Sequence, residues 1–224
     1  MRRLIVIPAM LLSVCVVVSV LAGCGLIPKP DKTPVNQYDI TPKAATRNSP
    51  TALCAQVLEI RGVSARAPWM STDMLYTRNK HEIKSYAYNQ WAATPATMLG
   101  HALVSILKAS GLYRGVLGPG APGSADLVLS VTLDSGPLQV FPPQSGQGGN
   151  APDSSRETLS LSATLTSMTT GELIAGKTFS GSQAANPDPY GGVVAANALA
   201  ARLFGQMLDW LAKSNSGIKA CSKR

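Results

Sequence analysis

Of the residues in this 224-residue chain that could do chemistry, the cysteines have the most telling settings. Cys24 follows Leu21, Ala22 and Gly23, and this quartet closes an apolar run, residues 4–20, that itself follows Arg2 and Arg3. A basic start, an apolar stretch and small residues before a cut point form a secretory signal. Leu-Ala-Gly-Cys is also the lipobox of bacterial lipoproteins. In that chemistry the Cys24 sulfur takes a diacylglycerol thioether, the peptide is cut between Gly23 and Cys24, and the new amine is acylated. An uncleaved span would need about 20 apolar residues with flanking anchors. Here Gly23, Cys24, Gly25 and Pro28 follow the run at once. Residues 1–23 are expected to be a signal peptide and residues 24–37 a lipidated tether. Two or three acyl chains meet the two-signal requirement for stable anchoring. Gly25, where aspartate would favour inner-membrane retention, directs such a chain to the periplasmic face of the outer membrane.

Cys15 leaves with the signal, so Cys54 and Cys221 remain. In an oxidising compartment such a pair is expected to bridge. The competing reading is two separate thiols, with Cys54 buried as a small hydrophobe. Other reactive groups are few. The two histidines, His81 and His101, lie in no cluster with metal-ligand spacing, so no metal is expected. Glu59, Asp73 and Glu82 are isolated carboxylates of a kind usually solvated. Gly118-Pro119-Gly120-Ala121-Pro122-Gly123 spells GxGxxG. A dinucleotide site needs that loop between a strand and a helix. Here a strand is expected to follow, and two prolines remove amide donors. No catalytic residue, cofactor or metal is expected.

Removing residues 1–23 takes away Arg2 and Arg3, leaving 18 basic against 12 acidic residues in 201, a net charge of +6. The charge is scattered, with one local cluster at Arg78, Lys80 and Lys84. A secreted chain without a basic stripe is not expected to bind nucleic acid. Mild attraction to anionic headgroups or to an acidic partner fits better.

The elements that would carry these residues follow from periodicity. Residues 25–37 hold three prolines and no apolar period, and read as an extended tether. Residues 38–40 and 53–61 read as strands, and 74–78 with 83–88 as a hairpin around 79–81. Thr94 and Pro95 open a helix that Ser110-Gly111 closes. A short strand at 113–117 precedes two strictly alternating runs, 127–133 and 158–167, and a strand at 173–180. A long Gly/Pro/Ser/Gln loop is expected between Ser135 and Glu157. Residues 190–213 carry one apolar stripe from Val193 to Leu211, a long amphipathic helix. The expected fold is α+β, a mainly antiparallel sheet with two amphipathic helices packed on one face. Tyr86, Tyr88 and Trp91 fit either strand packing or a contact surface. Val140-Phe141 is a second apolar spot, as strand continuation or as contact.

The order Ala67-Pro68, Met74-Leu75-Tyr76-Thr77-Arg78, Tyr86-Ala87-Tyr88-Asn89-Gln90-Trp91-Ala92 and Pro95-Ala96-Thr97-Met98-Leu99 resembles the ABC-type transport auxiliary lipoprotein family. The resemblance spans about residues 38–212 and includes the closing Asp209-Trp210-Leu211, with 38–224 as the domain. Ala93 stands where the family often has glutamate. The resemblance implies a non-enzymatic docking component at the outer-membrane end of a lipid transport system. Its partners would be MCE-domain proteins and ABC transporter subunits, with direct phospholipid contact and self-association left open. It points to Tyr38, Tyr86, Asn89 and Trp91 as contact positions, beside Val140 and Phe141. Two other readings compete: a structural lipoprotein of an outer-membrane assembly complex, and a periplasmic enzyme.

The lipobox reading predicts that Cys24→Ala leaves a folded chain that is neither cut nor acylated. Fatty-acid labelling and membrane fractionation check this; label in the variant, or normal cleavage of it, contradicts the reading.

Overall fold

In a computed structural model of the chain, residues 33–43, 54–142, 154–215 and 221 are described. Cys24 and the expected signal lie outside them. Contacts divide the chain into Met1–Pro34 and Val35–Arg224, and every element below belongs to the second unit. In chain order these are β1 (Asn36–Tyr38), β2 (Cys54–Ala65), β3 (Asp73–Thr77), β4 (Lys84–Trp91), α1 (Pro95–Ser110), β5 (Tyr113–Leu117), β6 (Leu127–Val140), β7 (Ser155–Ser167), β8 (Leu173–Ala185) and α2 (Pro189–Asn215).

The helices start and stop for local reasons. Thr94, in extended backbone, accepts a hydrogen bond from the Thr97 amide at 3.3 Å, and Pro95 supplies a preset φ at a position that needs no amide donor. Gly111, in the left-handed region at φ 64°, ends α1. The Asp188 carboxylate caps α2 by accepting from the Gly191 amide at 2.8 Å. Leu99, Leu103 and Leu107 of α1, with Leu199, Leu203, Phe204, Met207 and Leu211 of α2, are almost wholly buried in one core with the sheet. The two helices touch each other as well, so both lie on the same face.

The sheet differs from expectation. It is mixed: β1–β4, β2–β5, β2–β6 and β3–β6 pair parallel, and β3–β4, β6–β7 and β7–β8 antiparallel. Alternation had suggested mainly antiparallel pairing because one face of each strand is wetter. That pattern reports which face is covered, and a sheet with helices on one face alternates whichever way its strands run. In β6, Leu127, Leu129, Val131 and Leu133 are each at most 2% exposed and face the helices.

β6 is also longer than its alternating run. It takes β2 along Leu127–Leu133, then β3 along Leu138–Val140, on the same edge, while β7 pairs along the other edge. The register shifts between Leu133 and Leu138. Gly136 sits there at φ 85°, and a Cβ on it would run into the Thr158 carbonyl oxygen. Only glycine fits both the backbone and the space. The Gly136-Pro137 pair, read from sequence as the start of a loop, is a bulge inside a strand. β7 correspondingly begins at Ser155 and β8 runs on to Ala185.

Cys54 and Cys221 form a disulfide, with Cα atoms 4.2 Å apart and a sequence separation of 167. Cys54 is wholly buried at the start of β2 and Cys221 is 8% exposed. Closing a loop of that length is worth about 5 kcal/mol in the chain-entropy account. The native protein should therefore show no alkylatable thiol at these positions by intact mass without reductant. A Cys54→Ser, Cys221→Ser pair should lose about 3–5 kcal/mol in urea unfolding.

Candidate interaction site

The sequence-predicted contact residues separate into a surface set and an interior set. At the surface, β1 lies on β4 with Asn36 opposite Asn89 and Tyr38 opposite Trp91. The Tyr38 hydroxyl and the Asn36 side-chain amide both donate to the Asn89 Oδ1, at 3.2 Å each. Asn89 thus serves as the acceptor that fixes an edge strand three residues long. The Tyr38 ring meets Tyr190 at the start of α2, centroids 6.2 Å apart. Beyond β1 the chain crosses between the helices, held by Asn197 of α2. The Asn197 Oδ1 accepts from the Thr41 amide at 2.7 Å, and its Nδ2 donates to the Asp39 carbonyl at 3.2 Å.

Residues 39–43 leave a groove on either side. One, of 470 Å³, lies over α1 between Ile40, Ala93, Met98, His101 and Ile106. The other, of 670 Å³, lies over α2 between Thr41, Lys43, Tyr190, Val194 and Ala198. Tyr190 is 62% exposed, Tyr88 55% and Val194 53%. Large exposed aromatic and apolar side chains beside a short edge are the features that anchor a partner. Among the described residues no group of three or more His, Cys, Asp or Glu could hold a metal ion.

The interior set is structural. Trp91 is 2% exposed and belongs to the core, with an indole N–H that has no hydrogen-bond partner among the described residues. Phe141 is 4% exposed, edge-on to Tyr76 with centroids 6.0 Å apart. As contact residues both are corrected: the strands that carry them run deeper into the sheet than a reading of local hydrophobicity showed. Val140 is half-buried, paired with Arg156 as part of β6.

Tyr86 points inward too. Its hydroxyl donates to the Gln139 Oε1 at 2.7 Å, and the Gln139 Nε2 donates to the Ser155 Oγ at 2.8 Å and to the Asn186 and Asp188 carbonyls at 2.9 and 3.1 Å. The Ser155 hydroxyl in turn donates to the Ala185 and Asn186 carbonyls. This knot ties the sheet to the turn that opens α2. Gly192 makes it fit: a Cβ there would lie 2.9 Å from the Gln139 Oε1 and 3.4 Å from a Glu157 oxygen. Burial pushes the Tyr86 phenol well above its usual range, with the nearby Glu157 adding to the shift. Burial likewise raises the Glu157 carboxyl well above the ordinary carboxylate range.

Sequence reasoning missed Tyr190, Asn197, Gln139 and Glu157. Tyr190 was legible only as the first residue of a helix. Gln139 and Glu157 sat inside an expected loop.

A raised Glu157 has a definite sign. The unfolded chain ionises Glu157 from about pH 4.5, the folded chain only at higher pH, so its contribution to stability is full in acid and is lost as pH rises through the folded pKa. Glu157→Gln should therefore raise the melting temperature at neutral pH, leave it unchanged below pH 4, and flatten the slope between. Thermal unfolding across that pH range is the measurement.

Comparison with known proteins sets this geometry in a family. A crystal structure of a DUF330-family protein from Xanthomonas campestris superimposes with a TM-score of 0.67 at 16% identity, covering 81% of this chain and 98% of the other. An uncharacterised protein of known structure matches with a TM-score of 0.53 at 17% identity, over 81% and 98%. Both likenesses speak for the fold alone. No curated protein matches. The family model described as the ABC-type transport auxiliary lipoprotein component matches residues 38–207. That stretch runs from Tyr38 at the end of β1 through α1 and the knot to Met207 within α2, and on it the chain belongs to the ABC-type transport auxiliary lipoprotein family.

Proposed function

We propose that the protein is a periplasm-facing lipoprotein of the outer membrane. In this reading it is a non-enzymatic docking component of an ABC/MCE-type system that moves lipid between membranes. The observation that carries the reading is the family match over residues 38–207. The lipobox at Cys24 supports the anchor. The site supports docking over catalysis. Its polar side chains are engaged within the fold: Asn197 with the backbone of residues 39 and 41, Asn89 with the Asn36 and Tyr38 side chains of β1, Gln139 with the backbone at the start of α2. What the surface offers instead is exposed aromatic and apolar side chains beside two grooves.

The partner in this reading is an MCE-domain protein or an ABC transporter subunit, met by the face formed by β1, the outer part of β4 and the start of α2. Copies of this chain and phospholipid are further occupants compatible with the same face. Crosslinking in intact envelopes followed by pull-down through this protein tests the assignment. Recovery of MCE or ABC subunits is expected. Recovery of only barrel-assembly or cell-wall components would give the protein to a structural complex instead.

Single substitutions separate contact from core. Tyr190→Ala and Tyr88→Ala should lower partner recovery on the order of tenfold or more, with stability within about 0.5 kcal/mol of the parent. Trp91→Ala should cost about 3–5 kcal/mol in unfolding, and any loss of recovery should track that loss of fold. Melting curves read beside the pull-down distinguish the two.

A further inference from the structure

The end of the sheet where β3 turns into β4 carries cations that the site above does not use. Register brings them together: Tyr76 of β3 lies opposite Lys84 of β4 and Gln139 of β6, and Val140 opposite Arg156 of β7. Four neighbouring strands thus meet in one row at this end. The row through Lys84, Tyr76 and Gln139 continues to the buried Glu157, and Arg156 lies one residue along, on the opposite face of the same sheet end; at a strand spacing of about 4.8 Å the four strands span about 14 Å. The turn itself adds Arg78 and Lys80. Lys80, Lys84 and Arg156 are exposed. The Arg78 guanidinium lies over the Phe141 ring, 4.8 Å from its centroid, which keeps that charge at the same end. Glu82 is the opposing charge on the turn, 2.9 Å from Lys84, so the surplus rests on Arg78, Lys80 and Arg156. Among these charges Ile83 is 48% exposed. Cations for anionic headgroups and an apolar side chain for the layer beneath are the two parts of an interfacial contact.

The path of the chain is a second, independent observation. β1 runs parallel to β4, with Asn36 opposite Asn89, and β4 runs away from the basic turn. The chain therefore enters β1 from the basic end. The level of Lys84 lies five residues back along β4 from Asn89, about 17 Å. Cys24 precedes Asn36 by twelve residues, a contour of at most about 40 Å. A chain anchored at Cys24 needs only part of that length to bring the basic end to its own bilayer.

The geometry points to this basic end, formed by Arg78, Lys80, Ile83, Lys84 and Arg156, as a docking surface for the anionic phospholipid of the membrane that holds Cys24. The inference rests on the anchored-lipoprotein reading and deepens it: the domain lies against the headgroups by one end, with the entry of the chain into β1 and the turn on the same side. Its occupant is the bilayer surface, chosen by charge and by the direction from which the chain arrives.

The test uses the full-length lipidated protein reconstituted into vesicles of phosphatidylcholine alone or of phosphatidylcholine with phosphatidylglycerol, with amide hydrogen exchange read along the chain. Exchange over residues 78–84 should slow in the phosphatidylglycerol vesicles only, by roughly fivefold for each engaged cation. The contrast should fade as salt shortens the screening length below about 10 Å. Lys80→Gln with Arg156→Gln should abolish the contrast, and Glu82→Gln should enlarge it, an opposite effect that a merely unfolded variant cannot mimic. Equal exchange in the two vesicle types overturns the proposal, as does a contrast that these substitutions leave unmoved. Protection that appears only on adding a protein partner assigns the patch to an acidic protein and overturns it too. Intact mass reports lipidation separately: a chain without the lipid mass sinks the anchor, while the contrast between vesicles still decides the patch.

Discussion

The bend in β6 is the constraint on which the rest of the architecture depends. A regular strand offers each edge to one neighbour, yet β6 takes β2 and then β3 on the same edge and β7 along the other. The break at Gly136 allows this. It shifts the register between Leu133 and Leu138 and turns the strand so that the second half meets a new partner. Between Ala65 and Asp73 the chain leaves the sheet for a short detour, and the detour returns Trp69, 6% exposed, to the core. β3 then rejoins β6 in the direction β2 had followed. Everything at the second half of β6 follows from that handover: the β3–β4 hairpin, β1 on its outer edge, and the surface that Tyr38 and Tyr190 share.

The Gln139 knot converts that bend into a fixed position for α2. A primary amide in a place of low dielectric is costly unless its donors and acceptor are used, and here three acceptors take the Nε2 and one phenol meets the Oε1. The carbonyls it binds, from Asn186 and Asp188, belong to the turn that starts the helix. The bent end of the sheet and the first turn of α2 are thereby one rigid unit. Tyr190 stands on that turn and the half-buried Tyr38 on the strand beside it, so the spacing of the two rings is set by buried polar contacts behind them. Glu157 belongs to the same unit. Its burial at a place where Gly192 lets the helix start approach closely is tolerable while it keeps its proton.

Much of this was legible in the sequence, and the failures have physical causes. Thr94-Pro95 and Ser110-Gly111 marked α1 because capping is local chemistry, and the alternation from Leu127 to Leu133 marked the core face because it has period two. Strand direction was not legible, since residues that alternate say which side is covered and nothing of what lies alongside. Gly136-Pro137 misled because the same pair serves a turn or a bulge, and only the Thr158 carbonyl close behind it decides. The residues expected at a contact surface divided on the same ground. Tyr38 and Asn89 reached the surface together, but Trp91 and Phe141 could not be told from surface aromatics until the neighbouring strands covered them. Tyr190, the most exposed aromatic, gave no signal beyond its place at a helix start.

Among the described residues, the edges of the sheet offer little to a partner that would add a strand. An open edge recruits strands. Here β1 is three residues long and β5 five, too short to template much pairing. β8 is thirteen residues long, but it is interrupted by glycines at 176 and 181, carries Lys177, and has its Ser182 carbonyl occupied by the Arg202 guanidinium at 2.7 Å. With main-chain recruitment discouraged at each edge, side-chain surfaces remain, among them the aromatic and apolar patch around Tyr190 with its two grooves. Such a surface selects by shape and side-chain chemistry.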